Sequence, residues 1–167
     1  MRLLLGGLFT VALGAGCGYY SFTGASIPAH IRSVALLALE NQATGALPGL
    51  ERWLEEELAR RLSAQGGLRL AGPEEAQAVL EGRLTGYTNQ PVAVAAGERA
   101  AVNRVTVSLW VRFYDRVREE VRFEGMLSAY GDYDPGQDPL EGERRAARTA
   151  VSRLVEEAFL RIFAAWQ

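Results

Sequence analysis

Apolar and polar positions alternate most strictly in the middle of the chain, where Val105, Val107, Leu109, Val111 and Phe113 are separated by Thr106, Ser108, Trp110 and Arg112, with Arg104 and Tyr114 outside them. A period of two over this length predicts a strand with one face in the core and the other toward solvent. The same period runs through residues 78–89, with Ala78, Leu80, Gly82, Leu84 and Gly86 on one side and Glu81, Arg83, Thr85, Tyr87 and Asn89 on the other. It returns beyond a turn near Arg116, Val117 and Arg118, with Val121, Phe123, Leu127 and Ala129 inward and Arg122, Glu124, Met126, Ser128 and Tyr130 outward. Setting Phe113 opposite Val121 keeps the apolar side chains of this hairpin together, and it requires a three-residue loop or a bulge. Residues 91–101, which include Gly97, Glu98 and Arg99, read as an exposed loop between the first two strands.

Ahead of this sheet, residues 33–39 form a nearly continuous apolar run bounded by Glu40 and Asn41, the pattern of a strand buried on both faces. Pro48 is placed to open a helix. Leu50, Trp53, Leu54, Leu58 and Leu62 then recur at helical spacing until Gly66 and Gly67 end it. Residues 68–70 read as a short extended piece. Near the other end, Asp138, Pro139 and Glu141 supply an N-cap, a first-turn proline and a capping-box acid. The helix they start carries the stripe Leu140, Ala147, Val151, Leu154, Val155, Ala158, Ile162 and Ala165, with arginines opposite at 144, 145, 148, 153 and 161. The order β-α-β-β-β-α predicts an α+β two-layer sandwich, a mostly antiparallel sheet of about four strands with two helices on one face. Its first strand should enter by a right-handed crossover.

Composition adds a leader. Met1 and Arg2 precede the apolar residues 3–13, too few to cross a bilayer as a helix, and Gly14, Ala15 and Gly16 lead into Cys17, the only cysteine. This is the anatomy of a bacterial lipoprotein signal, with residues 1–16 removed and Cys17 acylated. A lipobox usually has an aliphatic residue three positions before the cysteine, where this chain has Gly14. An ordinary secretory leader cut near Ala15, or a buried thiol, are the competing readings. Two or more acyl chains hold a protein firmly on a membrane, so a lipidated Cys17 is an anchor. Gly18 in place of Asp favours the outer membrane. Residues 17–32 read as a tether of aromatics and turn formers, and residues 33–167 as one α+β domain, a length that supports its own core.

Net charge is −2 over 167 residues and leaves no basic footprint for nucleic acid. All 18 basic residues are arginine, as in a GC-rich coding sequence, although arginine also suits bidentate phosphate contacts. Catalysis finds little to use. His30 is the only histidine and falls in the tether, read as a surface residue, and no Ser/His/Asp set can be built. Asp132, Asp134 and Asp138 lack EF-hand spacing, so no metal and no cofactor is expected beyond the covalent lipid. Glu55, Glu56 and Glu57 read as a solvated helix face. If the helices cover the Val105 to Phe113 side, the other side presents Arg83, Tyr87, Arg104, Trp110, Arg112, Tyr114, Arg122, Met126 and Tyr130. Arginines mixed with amphipathic aromatics are enriched at interfaces. The competing reading is a half-buried face with ordinary cross-strand pairs.

The residues Cys17, Gly18 and Tyr19, then Ile27, Pro28 and Ile31 to Leu36, then Glu40 and Asn41, follow in an order that resembles the LptE-type lipopolysaccharide-assembly lipoproteins. So do Leu47, Pro48, Gly49, Leu50, Glu51 and Arg52, the run from Glu75 to Leu84, and the long hairpin closing on Asp115. Gln77 and Asn103 depart from the family pattern, which has Asp and an aromatic there. The resemblance implies a non-enzymatic outer-membrane lipoprotein on the periplasmic side. Its partner would be an LptD-like β-barrel that it helps to assemble and plugs, with lipopolysaccharide as a further ligand. Other classes remain open: an envelope or secretion-complex accessory lipoprotein with a scaffolding role, and a periplasmic enzyme.

Overall fold

The strict alternation from Arg104 to Tyr114 has the expected result in the computed structural model, which describes residues 27–64, 67–92, 102–136 and 138–164. The strand holding it is central in a long antiparallel meander, and Val105, Val107, Leu109, Val111 and Phe113 are all but fully buried. In chain order the elements are β1 (Ser33–Leu36), β2 (Glu40–Asn41), α1 (Leu50–Ala64), β3 (Arg69–Leu70), β4 (Ala78–Val92), β5 (Val102–Asp115), β6 (Glu120–Tyr133) and α2 (Pro139–Ala164). The sheet order is β3-β1-β4-β5-β6, and β2 pairs with β4 beyond the end of β1.

The fold is α+β with two helices, but the sheet is mixed and has six strands, which corrects the expectation of about four, mostly antiparallel. β1 runs parallel to both β3 and β4, and β2 runs parallel to β4. The extra strands are two residues each, too short to display a period; β3 falls within the piece read as extended, and β2 is revealed only by its pairing to β4. The apolar run at 33–39 accordingly divides into β1 and a link that leads to β2. Leu39 in this link lies across β4 at Gly82, where an added Cβ would sit 2.3 Å from the Leu39 Cδ2 atom. Its N–H donates to Glu55 Oε1 of α1 at 2.5 Å, so Glu55 is a structural acceptor and not part of a solvated face. The first helix begins two residues after Pro48, and Gly67 at φ +60° lets the Leu68 N–H return to the Leu62 carbonyl at 3.2 Å.

Leu50, Leu54, Leu58 and Leu62 of α1 join Ala147, Val151, Leu154, Val155, Ala158 and Ile162 of α2 in one core with the inner face of the sheet. Leu140 leaves that stripe and is 54% exposed. Phe159 and Phe163 enter it instead, and the Phe163 ring meets Phe113 edge-on at 5.5 Å between centroids. Asp138 caps α2 as expected, accepting the Glu141 N–H at 3.1 Å. The helix reaches the sheet closely at Gly131, where a Cβ would lie 2.2 Å from the Ala146 carbonyl oxygen.

Two register shifts change which side chains share a face. Between Leu84 and Gly86 the pairing with β5 slips, so Tyr87 lies opposite the buried Val107. A bulge inverts the facing of every later residue on its strand. Tyr87, expected on the outer face, therefore points to the helices, where its hydroxyl donates to Glu143 Oε1 at 2.6 Å. Burial, then that hydrogen bond and the charge of Glu143, raise its pKa well above the usual phenol range. The second shift lies between Phe113 and Tyr114. Phe113 pairs with Phe123, not with Val121, and Val121 opposite Tyr114 is 44% exposed. Pro91, Val92, Val102 and Asn103, read as loop or left outside the strands, extend the β4–β5 ladder.

The second shift also turns Arg122 away from the outer face and toward Asp115, with Nη2 3.4 Å from Oδ2. Asp115 is fully buried and ties three segments together. Its Oδ1 accepts the N–H groups of Val117 and Arg118 at 3.0 and 3.1 Å, and Oδ2 lies 2.7 Å from His30 Nε2. His30 is thus held against the sheet and not at a free surface, and Ile31 beside it is buried. Burial pushes the Asp115 carboxyl up. The bonds from His30, Arg118 and Val117 and the charge of His30 outweigh it, so the net shift is downward.

Two predictions follow from this packing. Val107→Ala, Leu109→Ala and Phe113→Ala should each lose about 2–5 kcal/mol in chemical unfolding, whereas Thr106→Ala and Ser108→Ala should lose far less; similar losses in both sets would mean the faces are assigned wrongly. A carboxyl with a depressed folded pKa adds stability above its unfolded pKa of about 3.9 and forfeits it as pH falls through the lower folded value. Wild-type stability should therefore drop below about pH 4, and Asp115→Asn should flatten that drop while being less stable at pH 7. An unchanged acid limb in Asp115→Asn would show that the knot contributes nothing.

Candidate binding surface

The sheet face away from the helices is built from rungs of three side chains across β4, β5 and β6. Glu81, Arg112 and Glu124 make one and Arg83, Trp110 and Met126 the next; beyond Gly86, Ser108 and Ser128 come Thr88, Thr106 and Tyr130, and then Gln90, Arg104 and Asp132. Opposite residues on antiparallel strands have Cβ atoms about 5 Å apart, so each rung is a set of direct neighbours. Arg83, Arg104, Trp110, Arg112 and Tyr114 are all brought to this face, and Tyr87 is not.

Every arginine here stacks on an aromatic ring and faces an acid. The Arg83 guanidinium carbon lies 4.1 Å from the Trp110 ring centroid, and Arg83 Nε is 3.8 Å from Glu40 Oε2 of β2. Arg104 clasps Asp132 through two parallel bonds of 2.7 and 2.8 Å and lies 3.8 Å over Tyr130. This fork-to-fork bond, with the opposing charge, raises the pKa of Arg104 and lowers that of Asp132. Arg112 is looser. It stands 3.7 Å from Glu81 and 3.6 Å from Glu124, with its ring contact to Tyr114 at 5.6 Å. Its Nε is buried and makes no hydrogen bond among the described residues.

Alternation had already assigned Glu81 and Glu124 to this side, but not Glu40 and Asp132, which come from elements whose pairing was unknown. The register alone, once fixed, would have placed Glu81 and Glu124 beside Arg112. Apolar exposure concentrates on the outermost strand of this face. Val121, Met126 and Tyr130 of β6 are 44, 59 and 43% exposed, and Val117 in the adjoining turn is 55%. Arg153 of α2 reaches around this edge to donate to the Tyr130 carbonyl at 2.8 Å.

Among the described residues no cluster of His, Cys, Asp and Glu is arranged to hold a metal ion, and no helix is long and apolar enough to cross a membrane. Cys17 lies outside the described residues.

The chain is similar in fold to a minor lipoprotein from Acinetobacter baumannii, at 16% identity and a TM-score of 0.53, covering 79% of this chain and 92% of that one. It is similar also to a hypothetical protein from Chlamydia trachomatis, at 14% identity and a TM-score of 0.54, covering 78% of this chain and 96% of that one. PelC from Paraburkholderia phytofirmans, solved as a dodecamer, is 17% identical with a TM-score of 0.53, covering 83% of this chain and 93% of PelC. No curated protein sequence matches the chain. The model of the LptE family, described as lipopolysaccharide-assembly, matches residues 31–165, nearly the whole of the folded region, and the chain belongs to that family.

Proposed function

We propose that this member of the lipopolysaccharide-assembly family is an outer-membrane lipoprotein, anchored through acylated Cys17 on the periplasmic side, that docks into an LptD-like β-barrel, assists its assembly and plugs it. The observation that carries the reading is the outer sheet face, where stacked Arg83 and Trp110 adjoin the exposed Met126 in one rung. Aromatic and arginine side chains fixed by their neighbours lose little entropy on docking, and such groups dominate interface energies. The reading assigns the protein no catalytic step.

The internal pairing ranks protein docking ahead of lipopolysaccharide binding on this face. Arg104 already spends its fork on Asp132, and a phosphate would have to displace that carboxylate. Arg112 is the exception, since both flanking acids stand beyond hydrogen-bond distance. A phosphorylated lipid, if it binds here, engages Arg112.

Two experiments check this. Trp110→Ala with Arg112→Ala should keep its circular dichroism spectrum and lose tenfold or more in barrel affinity, since a hot-spot residue carries about 2 kcal/mol or more. A barrel defect alone makes the face a docking surface, a salt-sensitive lipopolysaccharide defect alone makes it a ligand site, and wild-type behaviour in both titrations leaves only ordinary cross-strand pairs. Separately, Cys17→Ser should abolish lipid labelling and move the protein out of the outer-membrane fraction. Labelling and sorting that persist in Cys17→Ser would overturn the assignment of Cys17 as the anchor.

A further inference from the structure

The segment ahead of β1 is fastened to the end of the β5–β6 hairpin at two points. His30 Nε2 lies 2.7 Å from the buried Asp115 carboxylate, and Gln77 makes the second clasp. Its side-chain oxygen accepts the Arg32 N–H at 2.7 Å, its carbonyl accepts the Arg116 N–H at 2.9 Å, and its own N–H donates to Ser33 Oγ at 3.1 Å. Ile31, between the clasps, is buried. The chain that comes from Cys17 is therefore delivered to one end of the sheet, and it cannot swing to the other without breaking both clasps.

That end carries the hairpin turn itself. Residues 116–119 are all exposed, and Asp115 Oδ1 braces the turn by accepting the Val117 and Arg118 N–H groups. Val117 is thereby held outward on a fixed backbone. Two more apolar side chains are exposed at the same end: Val121, opposite Tyr114, and Leu70, which the register sets level with Val34, Ala78 and Asp115. The charges there cancel. Arg32, Arg69, Arg116 and Arg118 stand against Glu74, Glu75, Glu119 and Glu120, and Arg122 against Asp115. What this end offers is apolar contact, not attraction for an ion.

We infer that this end is a membrane-contact surface, the β5–β6 turn seating in the headgroup layer of the leaflet that holds Cys17, with Val117 inserted. The occupant is fixed by reach. The ten steps of chain from Cys17 to Ile27 span at most about 33–36 Å, and Ile27 is three residues from the His30 clasp, so an anchored chain keeps the turn beside its own bilayer. Such confinement raises the effective concentration of the contact to roughly the millimolar range. A valine too weak to hold a free protein on a membrane then suffices. A second copy or a barrel rim would also accept an apolar turn, but the chain itself brings neither to it. The inference rests on the Cys17 anchor and is independent of what docks on the arginine and aromatic rungs.

The test uses the full acylated chain in vesicles of phosphatidylethanolamine and phosphatidylglycerol. Acylation consumes Cys17, so a fluorophore on Arg118→Cys is the single label, and a nitroxide on the lipid headgroups reads its proximity. Quenching threefold or more stronger is expected at Arg118→Cys than at Asp134→Cys, which lies beyond the opposite end of β6. Adding Val117→Asp should cut the Arg118→Cys quenching threefold or more with an unchanged circular dichroism spectrum, and a tenfold rise in salt should leave it as it was. Equal quenching at the two sites, indifference to Val117→Asp, loss in salt, or shielding that grows with protein concentration without nitroxide quenching would each overturn the assignment and leave the anchor standing. A purified chain that carries no acyl group would instead overturn the anchor, and this inference with it.

Discussion

The whole arrangement depends on the two-residue period of β5 being kept in phase with its neighbours where a helix covers them. Five residues from Val105 to Phe113 turn inward, and each has a buried or partly buried partner on β4 or β6. A slip of one residue would send that set into water, at about 1.5–3 kcal/mol for each large side chain. The register is held where it is by close approach as well as by burial. At Gly131 the α2 backbone comes so near that only a residue without a side chain fits, and at Gly82 the Leu39 side chain takes the space of a Cβ. These two glycines fix β6 beneath α2 and β4 beneath the link from β1.

The bulges at Thr85 and Arg122 show how the same constraint creates polar structure. Each inserts a residue into an outer strand of the meander while β5 stays regular. Beyond the first, the inner face changes from apolar to polar. Tyr87 meets Glu143, and the Tyr133 hydroxyl lies 2.9 and 3.2 Å from the side-chain nitrogens of Asn89 and Asn103, beneath the first turn of α2. Beyond the second, Arg122 is drawn to Asp115, and the carboxylate that stops the β5–β6 turn also holds His30. A hairpin end, a strand bulge and the segment ahead of β1 are thereby linked through one buried acid.

Legibility in the sequence tracked the length of each pattern. The β5 alternation, the leucine spacing of α1 and the Asp138 cap each extend over enough residues, or rest on local enough chemistry, to be read directly. β2 does not, because two residues carry no period, and β3 is legible only as the extended piece at 68–70, without its parallel pairing to β1. Tyr87 failed for a different reason. Its position in the alternation was read correctly as far as Leu84, but a bulge is a property of the pair of strands and leaves almost no mark on one of them. On the outer face the arginines and aromatics could be named in advance, because alternation assigns faces. Glu81 and Glu124 share that side by the same alternation, but which arginine each acid meets could not be read, since that needs registers between strands.

Arginine accordingly does two kinds of work here. On the sheet face, Arg83 and Arg104 are struts, each set between a ring and an acid, and they hold Trp110 and Tyr130 in place. Such a surface is rigid and close to neutral, which suits contact with another protein wall more than capture of a free anion. In the helical layer arginines tie elements together instead, Arg153 donating to the Tyr130 carbonyl across the sheet edge and Arg61 joining Glu156 of α2 while lying over the Phe159 ring. Arg112, standing 3.7 and 3.6 Å from its two acids, is the one arginine of the sheet face held less firmly than its neighbours, so any reorganisation on docking falls to it first.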